Sequence, residues 1–369
     1  MSAHPIYEGQ DFYVPHFQLK IRGRPQGQEV VQDILSVSYT DSIDEIDSFQ
    51  ITISNWDPQK RVFQYSDDDL FDPGKEVELW MGYYGKDRLR LMIRGEITNL
   101  QPSFPSGGGP TLSISGLNLI HKLRTEQQSF VYEKKKDSQI AQTIAGRLGL
   151  DIETNAQAMG KEPIQQYLFQ NNEYDVTFLT KRAQHNGYDL FVKEKEKGKS
   201  ALYFGPSDNV KKVTYQLTYG RSLTEFRPTL STAQQVNEVT VRGWSMKEKK
   251  PITYTAKRSS IDIKGVGNQG GQGKINKSFA KRREIIAEKP LESEAEAKQL
   301  ATETLENIAK EMIKGSGSTV GLPDLRAGSV VMIDGLGRRF SGRYFITQTT
   351  HTIDDSGYKT SFQCRREET

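Results

Sequence analysis

Five histidines, one cysteine and two acidic clusters are the side chains in this sequence whose types suit catalysis or metal binding. His4, His16, His121, His185 and His351 are scattered, and none stands in an HExxH or other short spacing that would bring two imidazoles to one metal. His185 falls at a helix end, where a cation suits the dipole, and His351 falls in a strand; neither position asks for chemistry. Cys364 alternates with Phe362 and Thr360 on one strand face with no local base, so it reads as a buried structural thiol and not a nucleophile. Asp41, Asp44, Glu45 and Asp47 form one acidic cluster, and Asp67, Asp68, Asp69 and Asp72 form another. Neither has the glycine-centred spacing of a calcium loop, and both read as solvated loops. Gly265-Val266-Gly267-Asn268-Gln269-Gly270 fits the GxGxxG pattern, but no helical stripe follows it to set a helix N-terminus under a pyrophosphate. Lys274 is followed by Ile275, where a P-loop needs a hydroxyl. The reading is no catalytic residue, no metal ligand set and no cofactor site, which leaves binding and assembly.

The bulk properties agree. With 50 Lys+Arg against 47 Asp+Glu the formal charge is only +3, far from the excess needed to neutralise many phosphates, so no nucleic-acid partner is expected. One cysteine excludes an intramolecular disulfide framework, and stability must come from packing or from partner subunits. The N-terminus has no basic start followed by an apolar run, and 18 consecutive apolar residues occur nowhere, so neither a signal peptide nor a membrane span is expected.

The chain is expected to be mainly β with α/β insertions: two related tube-like antiparallel β-barrels plus smaller α+β subdomains. Period-two alternation in Phe49-Ile51-Ile53, Val77-Leu79-Met81, Leu89-Leu91-Ile93 and Leu112-Ile114, punctuated by Gly/Pro turns, places a first barrel in 1–125. Helical spacing after Asp137-Ser138 (Ile140, Ala141, Ile144, Ala145, Leu148, closed by Gly149) and a second helix over Asp175 to His185 define an α/β insertion over 126–200. Strands over 201–260 complete the first barrel and begin the second. A Gly-rich loop and an amphipathic helix occupy 261–318, the helix running 293–313 from a Ser293…Glu296 capping box through Ala297, Ala301, Leu305, Ile308 and Met312 to a stop at Gly315. The last strands of the second barrel fill 319–369.

An internal repeat is the most informative pattern. Gly74-x-x-Val77-x-Leu79 answers Gly328-x-x-Val331-x-Ile333. Each is followed by a hairpin, then Arg94-Gly95 or Ser341-Gly342, then a strand bearing Thr98 or Thr347. The copies close on strands running Thr111 to Ile114 and Thr360 to Cys364. Two copies in one subunit would let a trimer present six similar units around an axis. The hairpin around Tyr83, Tyr84 and Arg88 and the turn around Arg339 occupy equivalent places in the copies and are the candidate tube or inter-subunit contacts.

Several stretches together resemble the phage late control D family, which includes baseplate hubs of contractile tails and the hub portion of valine-glycine repeat spike proteins. They are Ile93-Arg94-Gly95-Glu96-Ile97, Leu112 to Leu117 leading to His121-Lys122-Leu123, the Asp137 helix, and Gln170 to Leu179. Tyr219-Gly220-Arg221-Ser222-Leu223 and the ending from Gly321-Leu322-Pro323 to Gly357-Tyr358 complete the set. The resemblance implies a homotrimeric, pseudo-hexameric adapter joining inner tube proteins to a separate spike of the oligosaccharide-binding-fold and β-helix type, within reach of baseplate wedge proteins. It implies assembly in the bacterial cytoplasm into a phage tail or injection particle. Two other classes compete: a tail-associated cell-wall hydrolase, and a nucleic-acid-binding β-barrel drawing on Lys134-Lys135-Lys136 and Lys281-Arg282-Arg283.

Overall fold

The computed structural model describes residues 14–85, 89–124, 126–147, 149–195, 200–206, 213–245, 249–260, 281–287, 291 and 293–366. Arg88, Leu148 and the Gly265–Gly270 loop lie outside the described residues. The fold is mainly β; the longer helices lie in two insertions, and short helices such as Gln28–Asp33 and Gly337–Phe340 sit within the two units.

The first unit comprises β1 (Pro15–Ile21), β2 (Ile34–Ser42), β3 (Ser48–Ser54), β4 (Glu76–Tyr83), β5 (Arg90–Ser103) and β6 (Thr111–Asn118). All their ladders are antiparallel, in the order β2-β3-β6-β5-β4-β1. The alternation does what period two requires: Val37, Tyr39, Phe49, Ile51, Ile53, Val77, Leu79, Ile93, Leu112 and Ile114 face one buried core.

An insertion follows with β7 (Gln127–Lys135), α1 (Asp137–Arg147), β8 (Asp151–Glu153), β9 (Gln165–Tyr174), α2 (Asp175–His185), β10 (Tyr188–Lys193) and β11 (Ala201–Pro206). Gly149 at φ +67° ends α1, and Gly187 at φ +65° ends α2, conformations that cost glycine nothing. The helices share a core with Leu190, Leu202 and Phe204. They are bolted by Asp137, whose carboxylate accepts from Arg182 Nε at 2.6 Å and Nη2 at 2.8 Å and from Asn186 Nδ2 at 2.8 Å.

β12 (Val213–Thr218) and β13 (Leu223–Leu230) open the second unit, which is interrupted by β14 (Glu238–Ser245), β15 (Lys250–Lys257), β16 (Arg283–Ile286) and α3 (Glu294–Lys310). The strands over 201–260 are therefore distributed over three sheets. Ser293 caps α3 by accepting from the Glu296 amide, and α3 lays Ala297, Ala301 and Leu305 on β14 and β15. The helix stops earlier than its apolar stripe suggests. Met312 lies beyond its end, and Gly315 belongs to β17 (Ile313–Val320), where a Cβ would meet the Phe226 ring at 2.6 Å. β18 (Val330–Asp334), β19 (Gly342–Asp354) and β20 (Gly357–Arg366) complete the unit in the order β13-β17-β20-β19-β18-β12.

The two units repeat one ladder. Gly74 (φ +89°) and Gly328 (φ +82°) donate to the Ile97 and Ile346 carbonyls at 2.8 and 2.9 Å, and those two residues donate back to Lys75 and Ser329 at 3.0 and 2.9 Å. Both ladders then slip by one residue, at Thr98 and at Thr347, the two threonines that the sequence pairs. Gly95 and Gly342 are not equivalent, however: Gly95 lies opposite Val77, whereas Tyr344 lies opposite Val331. The sixth strands differ as well, β1 running antiparallel to β4 and β12 parallel to β18. Each unit wraps around its own core, with Ile353 and Tyr358 reaching into the first, but the hydrogen-bonded path itself is open.

Candidate functional site

The two units join edge to edge. The far half of β19 pairs with β2, from Gln348 opposite Ser42 to Ile353 opposite Val37, so one sheet of 13 strands, counting the short strand Arg24–Pro25 beside β1, runs through both. Thr40 and Thr350 share a hydroxyl hydrogen bond of 3.1 Å across this joint. A buried polar cluster lies beneath it. The Asp41 carboxylate accepts from the Ala327 amide at 3.0 Å and from the Thr349 hydroxyl. Arg326 stacks 4.8 Å over the Tyr39 ring and donates to the carbonyls of Leu91 at 2.8 Å, Met92 at 3.2 Å and Pro323 at 3.0 Å. One guanidinium thus ties the second unit to β5 of the first.

His351 is fully buried, its Nδ1 at 3.0 Å from the Tyr358 hydroxyl and 3.1 Å from Thr360 Oγ1, its Nε2 at 3.0 Å from the Leu325 carbonyl. Burial, aided by the nearby Arg326 charge, holds the imidazole well below its usual range and hence neutral. Burial first, and Asp41 second, hold Asp47 well above the usual carboxylate range. The sequence expectation of a solvated acidic loop thus fails for Asp41 and Asp47, at 6% and 4% exposure, and holds for Asp44 and Glu45. Burial also pushes the Cys364 thiol up, and its Sγ donates to the Gly315 carbonyl at 3.5 Å, as a structural thiol would.

Of the contact candidates, Tyr83 is buried, with its hydroxyl donating to the Gly321 carbonyl at 2.9 Å and its ring 5.5 Å from that of Tyr358. It seals the seam between the units within this chain. Tyr84 is 72% exposed and packs edge-on against His16 at 5.8 Å. Arg339 is exposed on a short helix, Gly337–Phe340, whose Arg339 carbonyl accepts from Arg366 Nη1 at 2.6 Å. Tyr84 and Arg339 occupy the hairpin tips between equivalent strands, β4–β5 and β18–β19. Among the described residues no group of three or more His, Cys, Asp or Glu could hold a metal ion, and no helix is long and apolar enough to cross a membrane.

A family model described as the Alg8 N-terminal domain matches residues 14–355. The chain belongs to the Alg8 N-terminal domain family. No curated protein matches it by sequence. In fold, this Alg8 N-terminal domain is similar to a 43 kDa tail protein of prophage MuSo2 from Shewanella oneidensis, with TM-score 0.70 at 15% identity, over 95% of this chain and 98% of the other. It is similar to a tail protein from Neisseria meningitidis, with TM-score 0.69 at 14% identity, over 96% and 97% of the two chains. An Escherichia coli component of the type VI secretion system, itself described as similar to the T4 tail proteins gp27 and gp5, matches with TM-score 0.55 at 13% identity, over 94% of this chain and 76% of that one. The whole-chain likeness to tail and secretion-system proteins expected from the sequence is thus present in the fold.

The sequence reading missed the Arg326 cluster. One signal for it was available: Val37-x-Tyr39-x-Asp41 continues a buried alternation onto a carboxylate, which then needs a buried donor.

Proposed function

We propose that the protein is a structural hub of a contractile tail or injection system, a homotrimer whose two units per chain form a pseudo-hexameric ring between a trimeric spike and a hexameric inner tube. The observation that carries this reading is the side-by-side repetition of one ladder within one chain, with matching turn glycines and matching bulges. A ring of three such chains presents three-fold symmetry to a spike and near six-fold symmetry to a tube, which is the mismatch an adapter must resolve.

A second observation supports a channel. The solvent face of β2, β3 and β6 in the first unit carries Ser38, Thr40, Ser48, Gln50, Thr52, Ser113 and Ser115, hydroxyl and amide groups with no formal charge. Such a wall can line a passage without trapping a charged polymer. Tyr84 and Arg339, at equivalent hairpin tips, are the proposed contacts to the tube or to neighbouring subunits; Tyr83 acts inside the chain. Binding geometry replaces catalysis in this reading.

Light scattering on the protein alone, and with spike and tube proteins from the same locus, tests it. A mass near three times the 41.8 kDa chain, alone or on adding the spike, is the expected result. A monomer indifferent to both partners overturns the reading.

A further inference from the structure

The two insertions touch each other, and α3 makes the contact with a face that its own sheet does not use. Ala297, Ala301, Leu305 and Ala309 of α3 rest on Val239, Val241, Ile252 and Ala256 of β14 and β15. Gln299 and Glu303, one turn apart, face the end of α2 instead. The Gln299 side-chain amide donates to Glu303 Oε1 at 2.8 Å and to Asn186 Oδ1 at 3.4 Å. Asn186 Nδ2 in turn donates to Asp137 Oδ2 at 2.8 Å, and Asp137 holds Arg182. Gly187, at φ +65°, turns the chain over Glu303, whose Cγ lies 3.5 Å from where a Cβ on that glycine would stand. A hydrogen-bonded line thus runs from the insertion of the second unit into the core of the first.

Glu303 is the member of this line whose needs are not met. Its Oε2 is buried and has no hydrogen-bond partner. A carboxylate anion with an unsolvated oxygen is far costlier to bury than a neutral carboxyl. The charges around it give little relief. Glu306 on α3 and Asp137 on α1 are anions, Asp137 being already engaged by Arg182 and Asn186, and Lys310 on α3 is the opposing cation. Tyr188 of β10 stands beside Glu162 and Glu303, and burial first, Glu162 second, keep its phenol protonated. Burial, joined by the Glu306 and Asp137 charges and opposed by the Gln299 hydrogen bond and Lys310, pushes the Glu303 carboxyl up to about 8.

We infer that Glu303 is a proton-operated latch between the two insertions: protonated, it holds α3 against the Asn186-Gly187 turn, and on ionising it releases that contact. A carboxyl raised from its ordinary 4.5 in the closed contact stabilises that contact fully below 4.5 and loses the stabilisation as pH rises through about 8. Opening returns the carboxylate to water. The latch is therefore closed in acid and at neutral pH and loosens in alkali, the open form gaining about tenfold on the closed one between pH 7 and pH 9. The release is local. The apolar face of α3 stays on β14 and β15, and α1 and α2 stay bolted by Asp137 and Arg182. The latch lies within one chain, so it stands whether or not three chains assemble.

Hydrogen exchange of the full chain at pH 7 and pH 9, each rate divided by the intrinsic rate at that pH, tests this, with Glu303→Gln as a mimic of the protonated carboxyl. In the unaltered chain, protection of the amides of 186–188 and 299–306 is expected to fall about tenfold from pH 7 to pH 9, while that of 48–54 and 111–118 in the first core does not follow it. In Glu303→Gln the fall is absent. An equal fall in the variant would assign the effect to another group and overturn the inference. Unchanged protection of both segments in the unaltered chain overturns it as well. So does a fall shared equally by the strands of the first core, which is global unfolding; these last two outcomes are read without the variant and hold even if it does not fold.

Discussion

Replacing Arg326 with methionine keeps most of the side chain's length and removes its charge and donors. The two bonds that cross from the second unit to the Leu91 and Met92 carbonyls, at 2.8 and 3.2 Å, disappear. Hydrogen bonds from a charged donor contribute about 1.5–3 kcal/mol each, so the pair is worth about 3–6 kcal/mol. The loss also depends on pH. Asp41 and Asp47 are held up by burial and are opposed in this by Arg326, so removing the cation raises both further. A carboxyl whose folded pKa is raised contributes stability below its unfolded value near 3.8 and loses it as pH rises through the folded value. Arg326 also helps keep His351 neutral, and without it the imidazole accepts a proton more readily in acid. Both effects have one sign: Arg326→Met costs most at pH 8 and less at pH 5. Urea unfolding followed by circular dichroism at the two pH values measures the difference. A cost under about 1 kcal/mol, or an equal cost at both, would refute the assignment of Arg326 as the tie across the joint.

Four further outcomes follow from the same geometry. Asp137→Ala strands the Arg182 charge in the insertion core and is expected to cost about 3–5 kcal/mol, read as a loss of thermal stability. Gly315→Ala drives a methyl into the Phe226 ring and costs about 1–3 kcal/mol, and Phe226→Leu in the same chain recovers part of it; strictly additive costs would contradict the packing. His351 stays neutral when folded, so stability falls as pH drops below about 6.5 by up to ~1.4 kcal/mol per pH unit, a slope that His351→Gln should flatten in acid titrations. Tyr84→Ala combined with Arg339→Ala should leave the melting temperature unchanged and weaken particle assembly, and normal assembly would remove both from the interface.

The sequence by itself determined the β character, the helices at Asp137 and Asp175, the capped helix at Ser293, and the pairing of Gly74 with Gly328 and of Thr98 with Thr347. These are local matters: side-chain period, caps, and glycine at positive φ act over a few residues and leave their mark in the order of residue types. The end of the third helix was misread because Met312 prolongs an apolar stripe that strand pairing of Ile313–Val320 overrides. Only the tertiary structure decided that Asp41 is buried under Arg326, residues 285 positions apart in the chain by their numbering, and that Tyr83 closes a seam while Tyr84 faces solvent. It also decided which strand edges are covered and which stay open. Edge pairing is a long-range choice between backbones, and every residue except proline carries the same backbone donor and acceptor, so residue type says little about which edge meets which.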